Sequence, residues 1–310
     1  VEEGIKEDVR TASEIDRILK ENKEKYEKLE GVEKEIFDTH TLKSPYADSR
    51  IMWGEENSVI NKLWVGIDVD TSELLMIKNI TEGSRDKPLV IAHHPFGRAY
   101  TNFYEVMDMQ ADILSGEGVT SSVAQNLTRS RKSEVARKVS GANHFKAQDA
   151  ARLLDIPVMN IHTPADNHVK AYLDKKIRRE DPAKLKDLIE MLLEIPEYKD
   201  SAGKGQPPTV LNGDEKNKCG KIFVDMTGGT EGNHDILKDL VKSGVSTVVG
   251  MHMSEKHYKK AKEENLNVII AGHISSDNIG LNLLLDKVID KFGNIEIENF
   301  SGFIRVQRND

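Results

Sequence analysis

The stretch PLVIAHHP, residues 88–95, sets the terms for the whole chain. Four apolar residues, Leu89 to Ala92, run unbroken into His93 and His94, and Pro95 closes the run because it cannot continue a hydrogen-bonded ladder. The stretch therefore predicts a strand that delivers two imidazoles at its carboxyl end. Two later stretches repeat the pattern. PVMNIHTPAD (157–166) ends on His162 and reaches Asp166, and NVIIAGHISSD (267–277) ends on His273 and reaches Asp277. A lone histidine after a strand is usually satisfied by structural hydrogen bonds. Three such ends, two followed four residues later by a carboxylate, point instead to convergence, because strand ends at one edge of an α/β sheet open into a shared crevice.

Outward from these strands the pattern alternates. KLWVGIDVD (62–70) has the alternation and β-branched content of a further strand. Ile15, Ile18, Leu19, Tyr26, Leu29 and Ile36 fall near helical spacing and predict a helix from Thr11 to Phe37. Further helices are predicted over 103–127, 147–154, 235–243, 255–264 and 278–292. DPAKLKDLIEMLLEIPE (181–197) reads as an amphipathic helix with Asp181 as N-cap and Pro182 in its first turn. TVLNGDEKNKCGKIFVDM (209–226) reads as a hairpin, and STVVGM (246–251) as a strand. Strands alternating with helices predict an α/β layered fold.

Composition narrows the function. The chain has 310 residues, 38% of them hydrophobic, enough for a real core. Its net charge of −8 argues against nucleic-acid binding, which usually shows a basic patch. The basic stretches at 128–138 and 175–181 are interrupted by acids and read as solvated helix faces. No apolar run approaches the roughly 20 residues that cross a bilayer, so no membrane association is expected. The polar opening VEEGIKEDVR is unlike a signal peptide, and the lone Cys219 fits a reducing compartment; the expected location is cytoplasmic.

Imidazole nitrogens and carboxylate oxygens together suit Zn, Fe, Mn or Co. Adjacent histidines on extended backbone point in opposite directions, so His93 and His94 suit two neighbouring metals better than one. A carboxylate between two cations offsets their repulsion, and paired metals commonly activate a water for hydrolysis.

The same residues resemble a known family. His93-His94-Pro95 after a strand, then HTPADNH (162–168), then GHISSD (272–277) are similar to the Nif-three-like proteins, also called GTP cyclohydrolase I type two homologues. YADSRIMWG (46–54) and KLWVGIDVDT (62–71) look like the family's opening region. The resemblance implies two interlinked α/β domains with mixed sheets plus an N-terminal helix. Residues 1–37 would form a helical arm, 38–160 with 266–310 a discontinuous first domain, and 161–265 the second. It also implies two divalent ions, with His93 and His94 each on one, Asp166 on one, His273 on the other, and the acid at 277 between them. The family usually carries Glu at that last position; Asp277 is one methylene shorter, so bridging needs a closer backbone. A homo-oligomer, dimer to hexamer, is the family's expected assembly.

His162 and His168 lie outside that ligand set and are candidates for proton transfer near the substrate, with a structural role as the alternative. TGGTEG (227–232), between a predicted strand and helix, is either a flexible turn or a cradle for substrate through Thr227, Gly228 and Gly229. Arg98 and Tyr100 could contact an anionic substrate or only line the surface, and His252, which stands where the family has an acid nearby, is a candidate added ligand or substrate contact, with an exposed histidine as the alternative. The expectation is a metal-dependent hydrolase of a small nucleotide-like or phosphorylated substrate. The alternative is a non-enzymatic metal-handling, sensing or regulatory protein.

Overall fold

The computed structural model describes residues 1–293 and 295–308. Among the described residues nine strands form two sheets: β1 (Ile51–Trp53), β2 (Lys62–Gly66), β3 (Pro88–Ala92), β4 (Val158–Asn160), β5 (Thr209–Asn212), β6 (Lys221–Asp225), β7 (Val245–Gly250), β8 (Asn267–Ile270) and β9 (Glu296–Asn299). The first sheet has the order β1-β4-β3-β2-β9, the second β5-β8-β7-β6. β2, β3, β4 and β9 run parallel, as do β6, β7 and β8; only the edge strands β1 and β5 are antiparallel. The interior strands are nearly continuous apolar runs, which is what parallel strands covered on both faces require.

Two long helices lie between the sheets. Thr163–Glu180 follows β4 of the first sheet, with Pro164 in its opening turn, and His273–Phe292 follows β8 of the second. Ala165, Leu281 and Leu285 pack with Val65 and Ile91 of the first sheet, while Val169, Leu173 and Ile279 pack with Val224, Val249 and Ile269 of the second. After the second of these helices the chain returns to the first sheet as β9, which interlinks the two halves. β8, placed by the sequence reading in the first domain, pairs with β7 and β5 in the second sheet. The consequence for function is geometric. The carboxyl ends of β2, β3 and β4 face the carboxyl ends of β6, β7 and β8 across one cleft.

Several elements depart from the sequence reading for local reasons. The first helix stops at Lys28 and a short helix, Gly31–Glu35, follows, because Leu29 is extended and Gly31 takes a φ of +53°. The stretch 103–127 is a 3-10 turn, a helix (Met109–Gly116) and the start of another (Ser121–Val139), divided at Gly118 with its φ of +96°. Asp181 does not cap the helix after it: it ends the helix before it in the left-handed region at φ +46°, and the next helix runs Leu185–Leu193. The hairpin at 209–226 does not form, since β5 and β6 lie at opposite edges of their sheet. Among the described residues no helix is long and apolar enough to cross a membrane.

Candidate metal centre

The two long helices begin on histidines. Their starts place His162 one position before, and His273 at, the first helical residue, so each acid four residues on lies one turn along the same face. That converts the His-x-x-x-Asp spacing into two paired donors. β3 supplies the other two imidazoles from its end. The rings form a row, with centroids 5.0 Å apart from His162 to His93, 5.3 Å from His93 to His94, 5.0 Å from His94 to His273 and 4.9 Å from His273 to His252.

Asp277 lies against this row. Its Oδ1 is 3.4 Å from Nε2 of His93, and its Oδ2 is 3.4 Å from Nε2 of His94 and 3.7 Å from Nε2 of His273. Asp166 Oδ1 is 3.5 Å from the same His93 nitrogen, and Asp166 Oδ2 is 3.7 Å from Nε2 of His162. None of these contacts is aligned as a hydrogen bond. The Nε2 atoms of His93 and His94, Oδ1 of Asp166 and both oxygens of Asp277 are buried without any hydrogen-bond partner. Five orphaned buried donor atoms in one place would be costly unless something joins them. Donors held about 2.0–2.2 Å from a tetrahedral zinc-like ion lie about 3.4 Å from one another, the spacing seen here. The His93–His94–Asp277 and His93–His162–Asp166 groups could each hold a metal ion. The residues present fit the group.

The other ring nitrogens are tied down. His93 Nδ1 donates to the carbonyl of Ile161 at 2.9 Å. His94 Nδ1 meets Asp68 Oδ1 at 2.8 Å, and His162 Nδ1 meets Asp48 Oδ2, also at 2.8 Å. Such partners fix ring orientation and leave Nε2 free to face a ligand. Asp48 is fully buried and also accepts from the Thr163 hydroxyl at 2.6 Å.

Charge follows from burial. Burial raises Asp277, but His93, His94 and His273 outweigh it and hold that carboxyl far below the usual range. Burial pushes Asp166 up to about 6 against the pull of His162 and His93. For His162, burial lowers the imidazole, yet Asp166 and Asp48 bring it to about 9. Burial takes His273 down to about 4 despite Asp277. The pocket thus concentrates negative charge that protons on imidazole and carboxyl offset, a field suited to a cation.

The centre opens on a cleft of about 430 Å³. Tyr100, Phe103, Met226 and Met251 line its walls, and Thr227, Gly229, Glu231 and His252 stand at its far lip. The fold of the loop explains that lip. Gly228 and Gly229 have φ of +101° and +89°, and a Cβ on either would strike Gln110 at 2.8 Å or Val106 at 2.9 Å.

A NIF3 superfamily protein from Sphaerobacter thermophilus is similar over 94% of this chain and 98% of its own, at 27% identity and a TM-score of 0.74. In fold and along almost its whole length the chain is NIF3-like. Reduced HcgD from Methanocaldococcus jannaschii shares the fold at a TM-score of 0.50 and 14% identity, over 81% of this chain and 88% of its own. No family model matches the chain, and no curated protein matches it.

Within this NIF3-like chain, the five residues His93, His94, Asp166, His273 and Asp277 come together, and His162 joins them. His168 does not. It points away, buried, with Nδ1 on the Pro164 carbonyl at 2.7 Å, because two residues past Asp166 is the opposite side of the helix. Arg98 is also off the cleft and faces Asp38 at 3.5 Å. Gly228 lies beneath the lip, its carbonyl accepting from Gln110 Nε2 at 2.8 Å. Sequence reasoning missed Asp48, Asp68 and Glu231. The first two sit inside the family-like stretches 46–54 and 62–71, and that was their only signal. Glu231 stands beside His252: its Oε1 is 3.6 Å from His252 Nδ1 and accepts from Ser254 N–H at 2.6 Å. Burial opposes ionisation of Glu231, but His252, His257 and that amide together hold it at about 2.

Proposed function

We propose that the chain binds two divalent ions, of Zn, Fe, Mn or Co type, and hydrolyses a small nucleotide-like or phosphorylated substrate in the cleft. The observation that carries the reading is the two-sided contact of Asp277. Its Oδ1 lies 3.4 Å from the His93 nitrogen that Asp166 also approaches, and its Oδ2 lies 3.4 Å and 3.7 Å from the nitrogens of His94 and His273. One set would hold the first ion and the other set the second, with Asp277 between them. The short Asp serves there because helix His273–Phe292 starts on the first of its own ligands and brings its backbone close.

Bound divalent ions supply Lewis acidity, lowering the pKa of a water and polarising a substrate oxygen. The chain's residues supply the rest. His162 is placed to take or return a proton at Nε2, while Asp48 holds its Nδ1–H and stabilises the charged ring. Tyr100, Phe103, Met226 and Met251 shield the reacting end from bulk water. The side chains of His94 and His273 are 25% and 40% exposed, so the His94–His273 side stays open to the cleft, which a catalytic site needs and a closed structural site lacks.

The test joins metal analysis of the purified protein to a screen of nucleotides and phosphate esters. Two metal equivalents with turnover that His162→Ala abolishes support the reading. Two equivalents with no turnover across the screen favour metal handling, and a protein that takes up no metal refutes both. Asp48→Asn is expected to keep both ions and to lower turnover on the order of 10- to 100-fold, since it keeps the shape of the residue that His162 and Thr163 share but removes the charge that supports the His162 ring. Elemental analysis alongside steady-state kinetics separates the two effects.

A further inference from the structure

The N-terminal ten residues carry a buried ion pair that the centre described so far does not use. Arg10 holds Asp8 with two bonds, Nε to Oδ1 at 2.9 Å and Nη2 to Oδ2 at 2.8 Å, and the side chains are 7% and 0% exposed. A buried ion pair is a poor source of stability compared with apolar packing. Its value lies in direction. Kept ionised by Arg10, Asp8 can only accept, and it accepts from Tyr46 Oη at 2.7 Å and from Asn167 Nδ2 at 3.2 Å. That fixes which way the Asn167 amide points. Its Oδ1 is left to accept the Thr227 hydroxyl at 2.7 Å, and Thr227 lines the cleft. Asn167 follows Asp166 directly, and the helix Glu2–Lys6 presses on the same turn: a Cβ on Gly4 would lie 2.6 Å from Pro164 Cβ.

We propose that Asp8 and Arg10 are positioning residues of the cleft, acting through Asn167 on the turn that carries Asp166 and on Thr227 at the opposite lip. The chain of donors runs one way, Thr227 to Asn167 to Asp8, with the Arg10 charge at its end. Two segments 60 residues apart in sequence, at Asn167 and Thr227, thereby share one reference point in the first ten residues. The inference rests on the reading of Asp166 as a metal ligand for its effect on affinity, but not for its effect on Thr227.

The experiment uses the full chain, with Asp8→Asn, Arg10→Lys, Thr227→Val and the double variant Asp8→Asn/Thr227→Val. Zinc titration by calorimetry and amide hydrogen exchange are read on each. Asp8→Asn is expected to weaken at least one zinc equivalent about tenfold and to speed exchange at both 163–170 and 227–231. Arg10→Lys, which keeps the charge beside Asp8, is expected to retain most of the wild-type affinity. The double variant is expected to lose no more than the worse single one, as members of one network do. Faster exchange confined to residues 1–10, with zinc affinity within about twofold of wild type, would make the segment a brace and overturn the proposal. If wild type binds no zinc, the metal reading fails, and exchange at 227–231 alone decides this one. If Asp8→Asn does not fold, Thr227→Val tests the same link from the far end, through faster exchange at residues 4–10; unchanged exchange there overturns it.

Discussion

Asp277→Asn is expected to cost the protein one metal ion outright and to weaken the other at least about a hundredfold, while leaving the metal-free protein folded but less stable. The asymmetry comes from where the carboxylate stands. Each oxygen faces a different histidine Nε2 at 3.4 Å, and neither accepts a hydrogen bond. Asn keeps the shape but offers one oxygen and one NH2, and the NH2 cannot donate a lone pair to a cation. Without metal, the charge is offset only by neighbouring imidazoles, so losing it removes an attraction and a desolvation cost together. The imidazoles outweigh burial at this carboxyl, so we expect a net loss of about 1–3 kcal/mol in the metal-free fold. With metal at about 100 times Kd, wild type should gain about 2.7 kcal/mol, on the order of 5 °C in Tm. Thermal melts with and without zinc check both halves. A zinc-induced shift of wild-type size in Asp277→Asn would remove Asp277 from the centre.

The histidines and acids of this candidate centre were legible in the sequence because they sit in local patterns. A strand in these sheets is an apolar run, and the residue after it is at the cleft, so PLVIAHHP, PVMNIH and NVIIAGH each announced a position. The acids at 166 and 277 were legible through their spacing from a histidine. Asp48, Asp68 and Glu231 carry no such pattern. Each acts by touching a histidine 114, 26 or 21 residues away, and a contact of that kind leaves no periodicity. Two of the departures in the elements have the same root. Asp-Pro at 181–182 has the chemistry of a helix start, but Asp also tolerates the left-handed region, and tertiary packing used it to stop the preceding helix. Asn212-Gly213 is a good hairpin turn, yet β5 is taken by the edge of β8, where its alternating exposed and half-buried residues fit. His168 looked like a site residue only while its helix had no register. Once the helix starts at Thr163, the face is fixed, and position 168 falls behind it.

The centre also depends on a residue with no side chain, and Gly280→Ala is expected to damage it more than its size suggests. Gly280 sits one turn past Asp277 where helix His273–Phe292 crosses helix Thr163–Glu180, and a Cβ there would lie 2.3 Å from the carbonyl oxygen of Ala165. The obstacle is backbone, so no rotamer change relieves it. Ordinary contact needs the helices to part by about 1 Å, and overpacking of that kind costs about 1–3 kcal/mol, more than the roughly 1 kcal/mol that Ala gains over Gly inside a helix. Ala165 precedes Asp166, so the same movement pulls Asp166 away from the His93 nitrogen that both acids approach. Gly280→Ala should therefore lower the melting temperature of the metal-free protein and weaken zinc together. Gly116→Ala, at a helical glycine with nothing within 4 Å, should be neutral or slightly stabilising and leave zinc alone. The pair separates packing from helix propensity. If Gly280→Ala melts lower but binds zinc as tightly as wild type, the crossing supports the fold without setting the ligand spacing. In that case the strand ends of the two sheets, rather than the helix contact, hold Asp166 and Asp277 at one centre.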